Sequence, residues 1–174
     1  MPREAASTLR VVNPYDQEIV ADVPWDSPAE VDQKLDRARA AQRRWQRLSV
    51  EQRTLEIAKA LEYYRKNNAQ VARDITVQMG KPITQARREV DTMLARVEYL
   101  LAIAKFALAP ETLPAATGTT LRVEHLPLGV VLDIAAWNYP LLVPANVVVP
   151  ALAAGNAVLL KHSPLTPLCG LHFA

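Results

Sequence analysis

The sequence contains few of the residues on which several classes of protein depend. A single cysteine among its 174 residues excludes an internal disulfide and any zinc site built from several cysteines. Its 20 Lys and Arg nearly balance its 18 Asp and Glu, so a nucleic-acid-binding surface is not indicated. The long uncharged run 134–160 is interrupted by prolines and asparagines, which argues against a membrane-spanning helix. Since the N-terminal residues also lack the apolar core of a secretory signal, we expect a soluble, cytoplasmic protein without a metal site.

The charged residues that are present lie mostly in the first part of the chain. Residues 1–108 hold 18 of the 20 basic and 15 of the 18 acidic residues, whereas residues 109–174 hold eight of the 13 prolines. A segment so poor in charge has to be buried on most sides. We therefore predict short strands and a helical layer at 1–108, a linker with one strand at 109–126, and the start of a buried core at 127–174.

Four helices are predicted in the first part from their caps and their apolar spacing. Capping boxes begin at Ser27 and Ser49, and Gly80 suits the end of a third helix. A fourth helix is predicted at about 83–108, where apolar residues recur with helical spacing. Short strands are predicted at 9–12, 18–23 and 119–125.

The second part of the chain alternates between strand and helix patterns. Apolar runs at 129–135 and 157–161 have the length of buried strands, and a helix is predicted between them, from about Pro140 to Ala154. A strand, a helix and a strand within about thirty residues form a βαβ unit, which implies parallel strands. The predicted fold class is therefore α/β, with a helical N-terminal layer followed by the start of a Rossmann-like parallel sheet.

Polar side chains follow both strands of the predicted βαβ unit. Trp137 and Asn138 come after the first strand, and Lys161, His162 and Ser163 come at the end of the second. Ligands of open α/β sheets bind outside the carboxyl ends of the strands. Asn138 has a side-chain N–H that can stabilise an oxyanion, and Lys161 suits a ribose or phosphate oxygen. The residues alone leave two other interpretations equally open, in which Asn138 caps the next helix and Lys161 extends into solvent.

The most informative stretch of the chain reads LPLGVVLDIAAWNYPLLVPANVVVPALAAGNAVLLKHSPLTP. This segment resembles the core of the NAD(P)-dependent aldehyde dehydrogenases. The family pattern is close to PLGVV-x-x-I-x-PWN-(F/Y)-P, then a helix that ends PAL-x-x-GN, then V-(L/V)-KPSE. Residues 13–14 and the segment MGKP at 79–82 are similar to signatures nearer the N-terminus. The resemblance implies the N-terminal part of an enzyme that oxidises an aldehyde to a carboxylic acid with NAD or NADP.

The resemblance also implies roles for residues at both turns. Asn138 matches the asparagine whose side chain, with a backbone N–H at the nucleophile, holds the thiohemiacetal oxyanion, and Lys161 matches the lysine that hydrogen-bonds the adenosine ribose. Residues 119–125 match the strand pair of the oligomer interface, so a homo-oligomer is expected. Cofactor contacts are implied for seven residues of the two turns, Ile134, Trp137, Asn138, Lys161, His162, Ser163 and Pro164.

Several residues depart from the family pattern. Ala136 and His162 stand where proline is usual, and Gln78 stands where many members have glutamate. Pro164 replaces a glutamate that accepts hydrogen bonds from the adenosine ribose and would repel a 2′-phosphate, so NAD and NADP both stay open. The Lys-His-Ser turn that begins at Lys161 resembles a subgroup acting on succinate semialdehyde.

The family's catalytic cysteine, general-base glutamate and glycine-rich cofactor turn all come after the matched segment. We therefore expect the complete enzyme to act on a small-molecule aldehyde and the 174-residue chain alone to be inactive. Cys169 is interpreted as a small buried residue, His125 and His172 are interpreted as structural, and Asp133 has no assigned role. Two alternatives are a non-catalytic interaction protein that docks on full-length subunits and an isolated nucleotide-binding module.

Overall fold

The computed structural model describes residues 8–174, and most of the N-terminal residues considered above for a secretory signal lie outside this range. The first elements are β1 (Thr8–Val12), β2 (Ile19–Pro24), α1 (Pro28–Trp45), α2 (Val50–Lys66), α3 (Asn68–Met79) and α4 (Ile83–Ala107). The later elements are β3 (Glu111–Leu113), β4 (Leu121–Val123), β5 (Val130–Ile134), α5 (Leu142–Ala153), β6 (Ala157–Lys161) and α6 (Pro167–Leu171). The α/β fold class is confirmed. None of the helices in residues 8–174 is long and apolar enough to cross a membrane.

The helical layer forms where the caps predict it. The side chains of Ser27 and Ser49 each accept a hydrogen bond from the backbone N–H three residues later. The side chains of Glu30 and Gln52 in turn accept from the backbone N–H of these two cap residues. Gly80 ends α3 with a φ of 73°, a left-handed conformation that suits glycine. All four predicted helices are confirmed, although α3 and α4 begin without a side-chain cap.

The strands of the described residues pair into three small sheets. β1 and β2 are antiparallel, β3 and β4 are antiparallel, and β5 and β6 are parallel, as the βαβ prediction requires. β3 lies in the segment 109–126, for which one strand alone is predicted, and its three residues pair with the three of β4. A strand so short, with every side chain exposed, produces no alternating pattern in the sequence.

One apolar core joins the helical layer to the βαβ unit. Helices α2, α3 and α4 contribute one side of the core, and α5 and α6 contribute the other. Its buried members include Ile57, Leu61, Val71, Ile75, Val90, Met93, Val97, Ala145, Val149 and Cys169. The two regions that differ so strongly in charge along the sequence therefore fold against each other.

Side chains of α1 and α2 hold the C-terminal end of α5. Trp45 Nε1 donates to the carbonyl oxygen of Leu152 at 2.8 Å, and Arg53 Nε donates to that of Ala153 at 2.8 Å. The Leu152 carbonyl also accepts from the backbone N–H of Gly155 at 3.0 Å, whereas the Ala153 carbonyl would be costly to leave unpaired without Arg53. These bonds therefore tie α5 to the helical layer.

Leu61→Ala should lower the free energy of unfolding by about 2–5 kcal/mol, because Leu61 is 5% exposed and its truncation leaves a cavity in the shared core. Leu55→Ala is the matched control, since Leu55 lies on the same helix at 66% exposure. Its effect should stay within about 0.5 kcal/mol. Urea unfolding followed by circular dichroism measures both variants, and equal losses would contradict the assigned core.

Candidate functional site

The two turns predicted to form a site lie side by side at the carboxyl edge of the β5–β6 sheet. In the parallel register Ile134 is opposite Lys161, and the backbone N–H of Ala135 donates to the carbonyl of Lys161 at 3.1 Å. His162 Nε2 lies 2.8 Å from the carbonyl oxygen of Pro140 and so joins one turn to the other. Because a carbonyl oxygen can only accept, Nε2 carries the proton of this bond. The predicted juxtaposition of the turns is confirmed.

The first turn, residues 135–141, presents polar and aromatic side chains to solvent. Trp137 is 47% exposed, Tyr139 is 50% exposed, and Asn138 is exposed between them. The interpretation of Asn138 as the cap of α5 is wrong, because the cap position falls at Leu141, where no side-chain capping bond is made. Among residues 8–174 the side-chain amide of Asn138 makes no hydrogen bond, and its backbone carbonyl is the group that has a partner.

Two charged side chains of the helical layer contact the backbone of this turn. Lys81 Nζ donates to the carbonyl oxygen of Asn138 at 2.9 Å and lies 4.2 Å from the centroid of the Tyr139 ring. Glu89 Oε1 accepts from the backbone N–H of Leu141 at 3.1 Å. Sequence reasoning missed both residues as parts of the site. The one feature of the sequence that pointed to Lys81 was the MGKP segment, which contains it and is similar to a family signature.

The second turn begins at the end of β6 and mixes exposed with buried residues. Lys161 and Pro164 are exposed, whereas Ser163 is 7% exposed. Ser163 Oγ accepts from the backbone N–H of Leu165 at 3.2 Å, so the hydroxyl shapes the turn. The ammonium group of Lys161 is thus the accessible charge of this turn.

His162 fills space that only a glycine leaves free at position 170. A Cβ atom added to Gly170 would lie 2.7 Å from the Cβ atom of His162, closer than carbon atoms approach. His162 Nδ1 also lies 3.4 Å from the hydroxyl of Thr166. Gly170 and Thr166 are therefore the neighbours that accommodate His162, which stands where proline is usual.

Asp133 is a buried carboxylate without an assigned partner. It is 6% exposed, and its Oδ2 atom is buried with no hydrogen bond among residues 8–174. Burial raises the pKa of Asp133, and the charge of nearby His162 acts in the opposite direction. Within the described residues, no group of three His, Cys, Asp or Glu side chains could hold a metal ion.

Cys169 and His172 belong to the packing of the C-terminal segment. Cys169 is fully buried, and Gln78 Nε2 donates to its Sγ atom at 3.3 Å. His172 lies between Asp74, 2.9 Å from its Nε2, and Tyr63, whose hydroxyl is 2.8 Å from its Nδ1. The predicted burial of Cys169 is confirmed. His172 has an acidic partner after all, which comes from α3 rather than from its sequence neighbours.

The sequence and the fold both match a known enzyme family. The aldehyde dehydrogenase family model matches residues 1–174, and the chain belongs to this family. The chain is 37% identical over 167 residues to a 3,6-anhydro-alpha-L-galactose dehydrogenase of Streptomyces coelicolor, covering 96% of this chain and 34% of that protein. It is also 37% identical over 160 residues to a succinate-semialdehyde dehydrogenase (NADP(+)) of Deinococcus radiodurans, covering 92% of this chain and 33% of that protein. The resemblance seen in the sequence is confirmed.

A solved structure supports the same assignment. Betaine aldehyde dehydrogenase of Staphylococcus aureus, solved in complex with NAD+, has a TM-score of 0.88 and 26% identity over 96% of this chain and 34% of that chain. The chain therefore spans about a third of the length of the relatives that it matches and corresponds to their N-terminal part.

Cys169 should react with a thiol reagent only after the chain unfolds. Burial raises the pKa of its thiol to about 12. At pH 8 roughly one thiol in ten thousand is then ionised, and the thiolate is the reactive form. Ellman's reagent should detect no fast thiol in the native chain and one equivalent in guanidinium chloride. Rapid release of one equivalent from the folded chain would contradict the assignment.

Proposed function

We propose that this chain is the N-terminal portion of an NAD(P)-dependent aldehyde dehydrogenase that oxidises a small-molecule aldehyde to a carboxylic acid. The observation that carries the proposal is the exposed amide of Asn138, with no partner among the described residues, beside the sheet edge where Ile134 and Lys161 lie opposite each other. An amide N–H on a fixed turn can stabilise the charge that develops on an aldehyde oxygen during nucleophilic attack. Asn138 is the proposed catalytic residue of this chain.

The cofactor of this proposal is NAD or NADP, bound along the two turns. Ile134 is 69% exposed opposite Lys161, so the sheet edge offers an apolar surface beside a cation, which fits the ribose and phosphate groups of a dinucleotide. When bound, the cofactor accepts the hydride. Pro164 places no carboxylate where it would repel a 2′-phosphate, and the relatives' names and complexes include both cofactors. The remaining proposed contacts are Trp137, Asn138, His162, Ser163 and Pro164.

A semialdehyde is the substrate class to test first. The Lys-His-Ser turn at 161–163 is similar to that of a subgroup acting on succinate semialdehyde, and the Deinococcus radiodurans relative carries that name. A cytoplasmic location is also proposed, because a chain with a single cysteine suits a reducing compartment.

In the dehydrogenase that contains this segment, Asn138→Ala should lower kcat by about a hundredfold or more, as loss of one oxyanion donor does. The KM for the cofactor should change little, since six other proposed cofactor contacts remain when the amide of Asn138 is removed. Asn68→Ala is the control, because the Asn68 side chain donates to Asp91 on the helical layer, away from the turns. A kcat for Asn138→Ala within about threefold of the wild-type value would contradict the catalytic role.

The enzyme is further proposed to be a homo-oligomer whose interface includes the β3–β4 hairpin. Leu113, Leu121 and Val123 are 38%, 47% and 43% exposed on a sheet of two strands. A two-stranded hairpin is only marginally stable in water unless something packs against it. A second copy that covers the hairpin would remove these apolar side chains from water.

Leu121→Lys should therefore lower the assembled mass of the enzyme in sedimentation velocity, because it places a charge in the proposed interface. Leu55→Lys is the matched control, since Leu55 is 66% exposed on α2. An unchanged sedimentation coefficient for Leu121→Lys at low protein concentration would exclude the hairpin from the interface.

A further inference from the structure

Lys81 and Glu89 form a buried ion pair. Their side chains are 10% and 1% exposed, whereas both partners of every other Lys or Arg pair in residues 8–174 are at least 42% exposed. Burying two charges is unfavourable unless both are paired and their remaining polar atoms are satisfied. The partners that satisfy them therefore indicate what the pair holds in place.

Glu89 supplies the N-terminal cap that α5 lacks. Leu141 occupies the cap position, is fully buried and has no polar side chain with which to accept a hydrogen bond. Glu89 Oε1 accepts instead from the backbone N–H groups of Leu141 and Leu142, at 3.1 and 3.4 Å. A carboxylate is also favoured at the positive end of a helix dipole. Its other oxygen contacts Lys81.

Lys81 holds the opposite end of the same turn. Besides its bond to Glu89, Nζ donates to the carbonyl oxygen of Asn138 at 2.9 Å. The ammonium also lies over the Tyr139 ring, 4.2 Å from its centroid, which is a cation–π distance. Each of the three ammonium N–H groups therefore has a partner, and two of these partners, Asn138 and Tyr139, are consecutive residues of the turn.

We propose that Lys81 and Glu89 are positioning residues for Asn138, an inference that rests on the proposed function. The Asn138 amide has no protein partner of its own among the described residues, so its placement depends on the backbone of the turn. That backbone is held by the pair through Asn138 at one end and Leu141 at the other. A displacement of about 1 Å at a reacting group can cost about a hundredfold in rate.

Lys81→Met tests the proposal in the complete enzyme. The variant should lower kcat by about tenfold to a hundredfold, because the turn loses its anchor at Asn138. The KM values for aldehyde and cofactor should stay within about twofold, since the pair itself is no proposed ligand contact and the cofactor contacts of the second turn, such as Lys161, stay in place. Lys81→Arg, which keeps the charge, should recover part of kcat. A kcat for Lys81→Met within about twofold of the wild-type value would overturn the proposal.

A double variant separates positioning from general destabilisation. In the Asn138→Ala background, Lys81→Met should lower kcat by no more than about twofold further, because the group that it positions is already absent. Independent, multiplicative losses would overturn the proposal. Lys105→Met is the matched control for the lost charge, since Lys105 pairs with Glu51 at the surface with its side chain 79% exposed; it should leave kcat unchanged.

Hydrogen exchange of the 174-residue chain provides a readout that does not need activity. Lys81→Met should speed amide exchange at Leu141 and Leu142, whose backbone N–H groups donate to Glu89, by about tenfold or more, while exchange in the core of α3 stays at the wild-type rate. Unchanged exchange at Leu141 and Leu142 would overturn the positioning role, whatever the activity of the enzyme. If the complete wild-type enzyme oxidises no aldehyde, the proposed function fails, and the exchange experiment still decides whether the pair holds the turn.

Discussion

Helix α5 has no N-terminal cap of its own and is bonded to the helical layer at both ends, and the rest of the structure depends on these bonds. At its N-terminus, Glu89 accepts from the backbone N–H of Leu141. At its C-terminus, Trp45 and Arg53 donate to the last carbonyls of the helix. All three side chains come from the helical layer. Because α5 connects the two strands of the parallel sheet, these bonds also set where the two turns of the candidate site lie.

Much of the fold could be predicted because its signals are local. The capping boxes at Ser27 and Ser49 and the helix-ending Gly80 are each contained within a few residues, and the structure uses all of them. The two apolar strands and the helix between them also follow from short patterns. β3 was not predicted, because three exposed residues carry no periodicity and depend on their pairing with β4.

The candidate site divides in the same way between local and distant signals. Asn138 and Lys161 are recognisable because each follows a predicted strand directly. Lys81 and Glu89 are not recognisable, because they lie 57 and 52 residues away from their partners in the first turn. Both bonds also go to backbone atoms, which are the same in every residue type and leave no pattern in the sequence. The partner of His172 is hidden for the same reason, since Asp74 lies 98 residues away.

The contact between His162 and Gly170 limits which residues the two positions can hold together. With histidine at 162, even the smallest side chain at 170 would meet the first carbon of the ring's stem, which cannot swing aside as the tip of a long side chain can. Every residue except glycine has that carbon, so replacing His162 by proline or alanine would not remove the clash. A side chain at position 170 therefore requires glycine at 162 or a shift of the backbone between the two segments.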